Sequence, residues 1–245
     1  MTLELEDCCD ELTSFPLNGF PVLQSLSIEG CSYLESIFIL ESAFLGPSTL
    51  QSLKVSQCKA LGSLPQRMDT LIALESLSLD NLSSCCEVAC LPPELQCMHI
   101  ESVRVATPLT KWGLQNLSAL CDLHIGGDDI VNILLKEKLL PISLVSLTIS
   151  NLSETKSLEG NGLQHISFMK SITFKCCSRL ESFAEHTFPS FLKSLVFENC
   201  PELKSLPYKL PSSLETLEFD MCPRLALSSQ DKLPSSLKLL SIALC

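Results

Sequence analysis

The chain has 245 residues and a formal net charge of −11 at pH 7. Its lysines and arginines form no cluster, which argues against a partner bound through nucleic-acid phosphates. No stretch approaches the roughly 18 apolar residues of a membrane-spanning helix, and the acidic amino terminus is unlike a signal peptide, which begins basic and continues apolar. The composition therefore predicts a chain that binds no nucleic acid, has no membrane span and is not secreted.

A unit of the form Leu-x-x-Leu-x-(Leu/Ile/Val/Phe) recurs about every 24 residues, a period within the range of leucine-rich repeats. Residues 23–34, 50–61 and 192–203 are three closely matching copies. The second leucine position of the unit can be followed along the whole chain through eleven anchors, which are Leu3, Leu26, Leu53, Leu77, Met98, Leu123, Leu147, Ile172, Leu195, Leu217 and Leu240.

Apolar and polar residues alternate around each anchor, as in residues 25–29, where Leu26 and Ile28 are separated by serine. This alternation predicts a short, half-buried strand. One such strand cannot bury its own apolar face, so neighbouring units must stack. We therefore expect an α/β solenoid: a leucine-rich-repeat horseshoe with about eleven short parallel strands on its concave side. The short, proline-rich segments between the strands predict mostly irregular or 3₁₀ returns on the convex side.

Residues 82–143 interrupt the pattern with Pro92-Pro93, several cysteines and Gly126-Gly127. This stretch is either a bend, a place where a partner docks, or ordinary drift within a repeat, and drift is the simplest reading. Within it, Asp128-Asp129 precedes an apolar run over residues 130–139, and Pro141 follows. That order of a cap, an apolar run and a stop signal predicts one short convex helix.

Because the repeat runs from end to end, we interpret residues 1–245 as one leucine-rich-repeat domain. Solenoids normally shield their terminal repeats with polar caps, and the first and last units here are ordinary strand units. We therefore expect the chain to be part of a longer polypeptide or a truncated relative of one.

Most of the fourteen cysteines are predicted to be structural thiols. Six of them stand three residues after the last apolar strand residue: Cys31, Cys58, Cys177, Cys200, Cys222 and Cys245. Many leucine-rich repeats carry a buried asparagine there, and a thiol would act as a small buried hydrophobe with weak hydrogen bonds. Stacked thiols persist best in a reducing compartment, which favours a cytoplasmic location.

A second group of cysteines lies close together in the sequence, at Cys85, Cys86, Cys90 and Cys97. Its spacing does not match the paired Cys-x-x-Cys of structural zinc sites, so ordinary thiols without a metal are expected. The role of this group stays open.

The sequence contains no phosphate-binding loop, no Gly-x-Ser-x-Gly elbow and no His-Glu-x-x-His motif, so we predict a protein that is not an enzyme and has no cofactor. His99 and His124 each follow an anchor by one residue and should occupy the same column of successive strands, flanked by Glu101 and Asp122. They could form a metal site, a pH-sensitive patch or a polar contact surface, and the last is preferred. A zinc- or His-dependent hydrolase is the alternative from the enzyme class.

Serine or threonine recurs just before the anchors, whereas the charges beside them change from strand to strand. Small uniform groups next to variable charges suit a protein-recognition surface, because the charge pattern selects the partner. The predicted contacts on the concave face are Lys54, Asp80, His99, Glu101, Asp122, His124, Lys175 and Glu218.

Several segments together resemble a known family. They are Leu210-Pro-Ser-Ser-Leu214, Leu233-Pro-Ser-Ser-Leu237, Leu140-Pro-Ile-Ser-Leu144, Lys111-Trp112-Gly113-Leu114, Ile125-Gly126-Gly127-Asp128 and Gly162-Leu163-Gln164-His165. The combination resembles the C-terminal repeats of plant coiled-coil nucleotide-binding leucine-rich-repeat disease-resistance proteins. The resemblance covers almost the whole chain.

The resemblance implies an intracellular immune receptor whose repeats recognise pathogen effectors or modified host proteins. It also implies that the repeats contact an intramolecular nucleotide-binding domain and hold the receptor at rest. This chain has no coiled coil and no nucleotide-binding module, so nucleotide binding is not carried over. The alternative is the substrate-recognition part of an F-box ubiquitin-ligase subunit, which also uses cysteine-containing repeats.

Overall fold

The computed structural model describes residues 1–7, 11–40, 48–86, 90–105, 108–158, 162–184, 187–206, 209–226 and 233–245, with the side chains of residues 83–86 and 104–105 outside the description. The chain contains two compact units, Met1–Leu120 and Cys121–Cys245.

The described part of the first unit contains seven strands, five of which belong to the long parallel sheet. In chain order they are β1 (Thr2–Glu6), β2 (Ser14–Pro16), β3 (Ser25–Glu29), β4 (Ser36–Phe38), β5 (Ser52–Ser56), β6 (Ser76–Cys86) and β7 (Cys97–Val105). The long-sheet order in this unit is β1-β3-β5-β6-β7, while β2 and β4 form a separate pair in the returns. Short 3₁₀ helices span Met68–Thr70, Leu109–Lys111 and Leu114–Asn116.

The second unit contains eight strands and a single α-helix in its described part. They are β8 (Asp122–Gly126), α1 (Asp128–Lys136), β9 (Ser146–Ser150), β10 (Ser157–Leu158), β11 (Ser171–Lys175), β12 (Ser182–Phe183), β13 (Ser194–Glu198), β14 (Thr216–Asp220) and β15 (Leu239–Ala243). The long-sheet order in this unit is β8-β9-β11-β13-β14-β15, and β10 pairs with β12.

The predicted fold class is confirmed: the chain is a parallel leucine-rich-repeat solenoid with eleven long-sheet strands. Each of the eleven predicted anchors is the second residue of one of these strands. Equivalent residues pair directly, so that Leu53 pairs with both Leu26 and Leu77. No helix in the described part of the chain is long and apolar enough to cross a membrane.

The core of each unit consists of the second and fourth strand residues together with leucines from the returns. In β3 these are Leu26 and Ile28, both completely buried. In three strands of the second unit the fourth position is aromatic, and Phe174, Phe197 and Phe219 stack across these neighbouring strands with ring centroids 5.3 and 5.2 Å apart. This ladder adds ring stacking to the apolar burial of the repeat.

Every long-sheet strand is followed, after its fifth residue, by a residue with a positive φ. Glycine fills this position only at Gly30 and Gly127, and ordinary residues fill the other nine: Asp7, Gln57, Asn81, Ser102, Asn151, Cys176, Asn199, Met221 and Leu244. The left-handed residue turns the chain off the sheet while its N–H still donates to the next strand, as from Asn199 to the Asp220 carbonyl at 2.8 Å. None of these eleven residues is β-branched, because a β-branched side chain rarely tolerates a positive φ.

The cysteine column is structural, as predicted, at five of its six positions, whereas the sixth, Cys245, is exposed. Cys31, Cys58, Cys177, Cys200 and Cys222 are completely buried free thiols. Each Sγ donates to the carbonyl two residues earlier, as from Cys58 to Ser56 at 3.4 Å. Burial raises the pKa of the Cys58 thiol to about 11, and the hydrogen bond with Cys177 raises that of Cys200 to about 12. Thiols with such a raised pKa are held protonated and unreactive at neutral pH.

Two local predictions need adjustment. The short helix exists, but it ends at Lys136, and Lys138 has a positive φ of 54° that prevents the helix from reaching residue 139. Its N-cap is Gly127, which offers no capping side chain, and the Asp128 carboxylate accepts hydrogen bonds from the loop after β9. Within the irregular stretch, β6 and β7 continue their ladder past the fifth residue, with a register shift between Leu82 and Cys86.

Candidate protein-binding surface

The polar face of each unit consists of the first, third and fifth residues of its long-sheet strands. These residues point away from the core because side chains alternate along a strand. All eight residues predicted as contacts lie on this face and are exposed or half-buried, namely Lys54, Asp80, His99, Glu101, Asp122, His124, Lys175 and Glu218. The predicted placement of these residues within their strands is therefore correct, while their role in binding stays a prediction.

In the first unit, the polar face is acidic. Its strands present five carboxylates, at Glu4, Glu6, Glu29, Asp80 and Glu101, and one lysine, Lys54. The Lys54 ammonium lies 3.2 Å from the Glu29 carboxylate. This exposed pair neutralises one charge of each sign, so the remaining carboxylates define the sign of the surface.

His99 and Glu101 are two residues apart on β7 and point to the same side. The His99 Nε2 lies 3.5 Å from a Glu101 carboxylate oxygen, and both side chains are partly buried. The contact is an ion pair whenever the imidazole is protonated. The sequence prediction that a carboxylate flanks this histidine is therefore confirmed within the first unit.

In the second unit, the polar face is also acidic and, like that of the first unit, contains a lysine–glutamate pair. The Lys175 ammonium on β11 lies 3.3 Å from the Glu198 carboxylate on β13. Glu218 on β14 and Asp122 on β8 are the other predicted contacts with negative charge. The His124 Nε2 on β8 lies 2.7 Å from the Ser150 hydroxyl on β9. This hydrogen bond fixes the orientation of the imidazole. The first residue of β9, β11 and β13 is serine, so only small side chains stand beside these charges.

A charged ladder at the entrance to the strands was missed by sequence reasoning. The Glu215 carboxylate accepts hydrogen bonds from Lys193 at 2.8 Å and Lys238 at 2.6 Å. The hydrogen bonds from these two lysines lower the pKa of Glu215 to about 2. Charges of opposite sign at the same position of successive units are the signal that could have revealed the ladder.

The carboxylate of Asp128 organises the loop that follows β9. It accepts hydrogen bonds from the N–H groups of Ser153 at 2.9 Å, Glu154 at 3.2 Å and Thr155 at 2.7 Å, and from both hydroxyls. Partial burial raises the pKa of Asp128, but the hydrogen bonds from Thr155, Ser153 and Glu154 outweigh it, and the pKa is lowered from its ordinary value of 3.8. Asp128 therefore joins α1 to the next repeat, beside an open cleft of about 800 Å³.

Comparison with known proteins relates the chain to proteins of one plant. No family model matches the chain. Over 74% of its length, the chain is 29% identical to a protein of Arabidopsis thaliana named for disease resistance, At3g14460. Over 26% of its length, it is 35% identical to the disease resistance RPP13-like protein 1 of the same plant. The chain is homologous to plant disease-resistance proteins. The resemblance drawn from its repeat motifs is therefore confirmed.

The alignments cover only a small part of these disease-resistance relatives, 15% of the first and 6% of the second. The similarity is therefore to a limited region of each of these longer proteins.

Proposed function

We propose that this leucine-rich-repeat region is a non-catalytic protein-recognition domain of an intracellular plant immune receptor. In this proposal it senses a pathogen effector, or a host protein that an effector has modified. It also contacts an intramolecular nucleotide-binding domain where the full-length receptor has one. Homology to disease-resistance proteins supports the receptor role, and the fully buried free thiols are consistent with the reducing cytoplasm.

The observation that carries the proposal is the acidic, solvent-facing polar face. Its charges stand on strands whose register is fixed by the buried leucines, so the backbone beneath a bound partner is already ordered. A preorganised surface binds with a smaller entropic cost than a flexible one. The preferred partner has a complementary basic surface, because opposite potentials speed association and suppress the wrong partners.

The proposal can be tested by measuring binding of purified pathogen effectors to the immobilised chain. We expect at least one basic effector to bind, and the variant Asp80→Lys/Glu101→Lys to slow its association about tenfold. The matched control is Asp69→Lys/Glu94→Lys, which makes the same change of charge at exposed positions of the first unit away from the polar face. Effector binding that is equally weakened in both variants, or no binding by any effector, would contradict the proposal.

A further inference from the structure

In four units, one position of the repeat holds a serine or threonine, at Thr49, Ser143, Ser213 and Ser236. It is the residue just before the first leucine of the unit. Thr49 donates from Oγ1 to the carbonyls of Pro21 at 3.0 Å and Leu23 at 2.9 Å. Ser213 donates from Oγ to the carbonyls of Ser190 at 2.8 Å and Leu192 at 2.7 Å. The fold therefore has a structural use for serine or threonine at this position.

Two adjacent units carry phenylalanine in this column instead. Phe168 and Phe191 are 66% and 64% exposed. Their units are neighbours, because the strand after Phe168 pairs with the strand after Phe191, with Ser171 beside Ser194. Ile142, in the preceding unit, is 63% exposed.

Phenylalanine at this position cannot make the hydrogen bonds of Thr49 and Ser213 and leaves a ring in water. Both effects disfavour it relative to serine, by loss of a hydrogen bond and by exposure of apolar surface. The stability of the repeat therefore does not explain why phenylalanine occupies these two positions. Large apolar side chains exposed on adjacent units are typical of interaction sites.

The charges beside the rings indicate what kind of partner fits. Two residues further along the chain, the second unit has Cys121, Val145, Lys170, Lys193, Glu215 and Lys238. The first unit has Gln24, Gln51, Glu75 and Gln96 at the same position, so the lysines belong to the second unit. Glu215 is already held by Lys193 and Lys238. Lys170 makes no ion pair with any residue that the structure describes, and it lies in the sequence between the two rings.

We propose that Phe168, Phe191 and Lys170 form a docking site for an acidic protein segment that carries an aromatic or aliphatic side chain. The apolar side chain packs against the two rings, and a carboxylate of the segment pairs with Lys170. Lysine and phenylalanine side by side suit such a segment because a hydrophobic anchor supplies affinity and the charge supplies selectivity. This edge surface is separate from the acidic polar face, which favours a basic partner.

The test uses fluorescence anisotropy with a labelled probe peptide, Glu-Asp-Glu-Phe-Leu-Glu-Asp-Glu, titrated with the whole chain. We expect saturable binding that weakens at least about tenfold in the variant Phe168→Ser/Phe191→Ser, since two apolar anchors are lost. Because serine restores the side chain that the fold uses elsewhere in the column, this variant should unfold at the same temperature as the wild type or higher. The matched control, Ile72→Ser, removes an exposed apolar side chain of the first unit and should bind the probe normally.

Two further arms separate anchoring from charge. A probe with serines in place of Phe-Leu should bind at least about tenfold more weakly, and Lys170→Glu should weaken the original probe severalfold. The proposal is overturned if the wild type does not bind, if the double phenylalanine variant binds as the wild type does, or if the serine probe binds equally well. None of these outcomes bears on the polar-face variant Asp80→Lys/Glu101→Lys, so the two proposals can fail independently.

Discussion

Replacing Asp128 with asparagine should weaken the connection between α1 and the loop after β9. The substitution keeps the size of the side chain but removes the charge that accepts five donors from Ser153, Glu154 and Thr155. An amide also places its own N–H groups where one carboxylate oxygen now accepts. Hydrogen bonds to a charged group contribute about 1.5–3 kcal/mol each when buried, but these bonds share one half-buried carboxylate, so we expect a loss of about 2 kcal/mol.

The pH dependence provides a second signature of the same contact. The folded-state pKa of Asp128 is lowered from 3.8, so its stabilisation is fully present above 3.8 and is lost as the pH falls through the lower folded value. The difference in unfolding free energy between wild type and Asp128→Asn should therefore be constant between pH 5 and 7. The difference should become smaller below pH 3.8. Urea unfolding followed by circular dichroism measures both quantities.

Asp129→Asn is the matched control, because Asp129 lies in the same first turn of α1 and is exposed. Both substitutions remove a negative charge near the positive end of the helix, which contributes about 0.3–1 kcal/mol. Only Asp128→Asn also removes the loop contacts. The reasoning is refuted if the two variants lose the same stability at pH 7, or if the loss in Asp128→Asn is unchanged at acid pH.

Three other predictions concern single positions. Met221→Gly should stabilise the chain by about 0.5 kcal/mol in thermal unfolding, because φ at Met221 is +52° and glycine relieves the strain at a modest entropic cost; a loss of stability would count against it. Lys238→Gln should raise the pKa of Glu215 from about 2 toward its ordinary value in a carboxyl NMR titration, so that less stability is lost between pH 4.5 and 2; an unchanged titration would disprove the ladder. Iodoacetamide at pH 7.5 should modify the exposed Cys90 and spare Cys58, whose pKa is about 11, as mass spectrometry can establish; labelling of Cys58 in the native protein would contradict its burial.

The strands were predictable because their signal is local and periodic. Leu26 and Ile28 alternate with polar residues, and the same alternation recurs at each anchor, so stacking in register is the arrangement that buries all of them. The cysteine column was predictable for the same reason, since Cys31 and Cys58 keep a fixed distance from their strands.

Other features depend on contacts between residues far apart in sequence. Asp128 reads as a helix cap, and only the folded loop of Ser153 and Thr155 shows that its carboxylate is used elsewhere. The positive φ at Met221 likewise could not be predicted from the sequence, because methionine does not indicate a left-handed turn. The exposure of Phe191 is hidden too, since aromatic residues in a leucine-rich sequence read as core.

The residue-for-residue register has a consequence for how such a protein can change. Within the second unit, β13 pairs with β11 from Ser194 onward, and β14 pairs with β13 from Thr216 onward through the same five positions. Removing residues 194–215 would therefore bring Thr216 beside Ser171 with every apolar side chain still inward. Duplication or loss of a whole repeat changes the length of the sheet and its set of surface charges in one genetic event. Insertion or deletion of one residue within a strand instead turns its apolar side chains toward water.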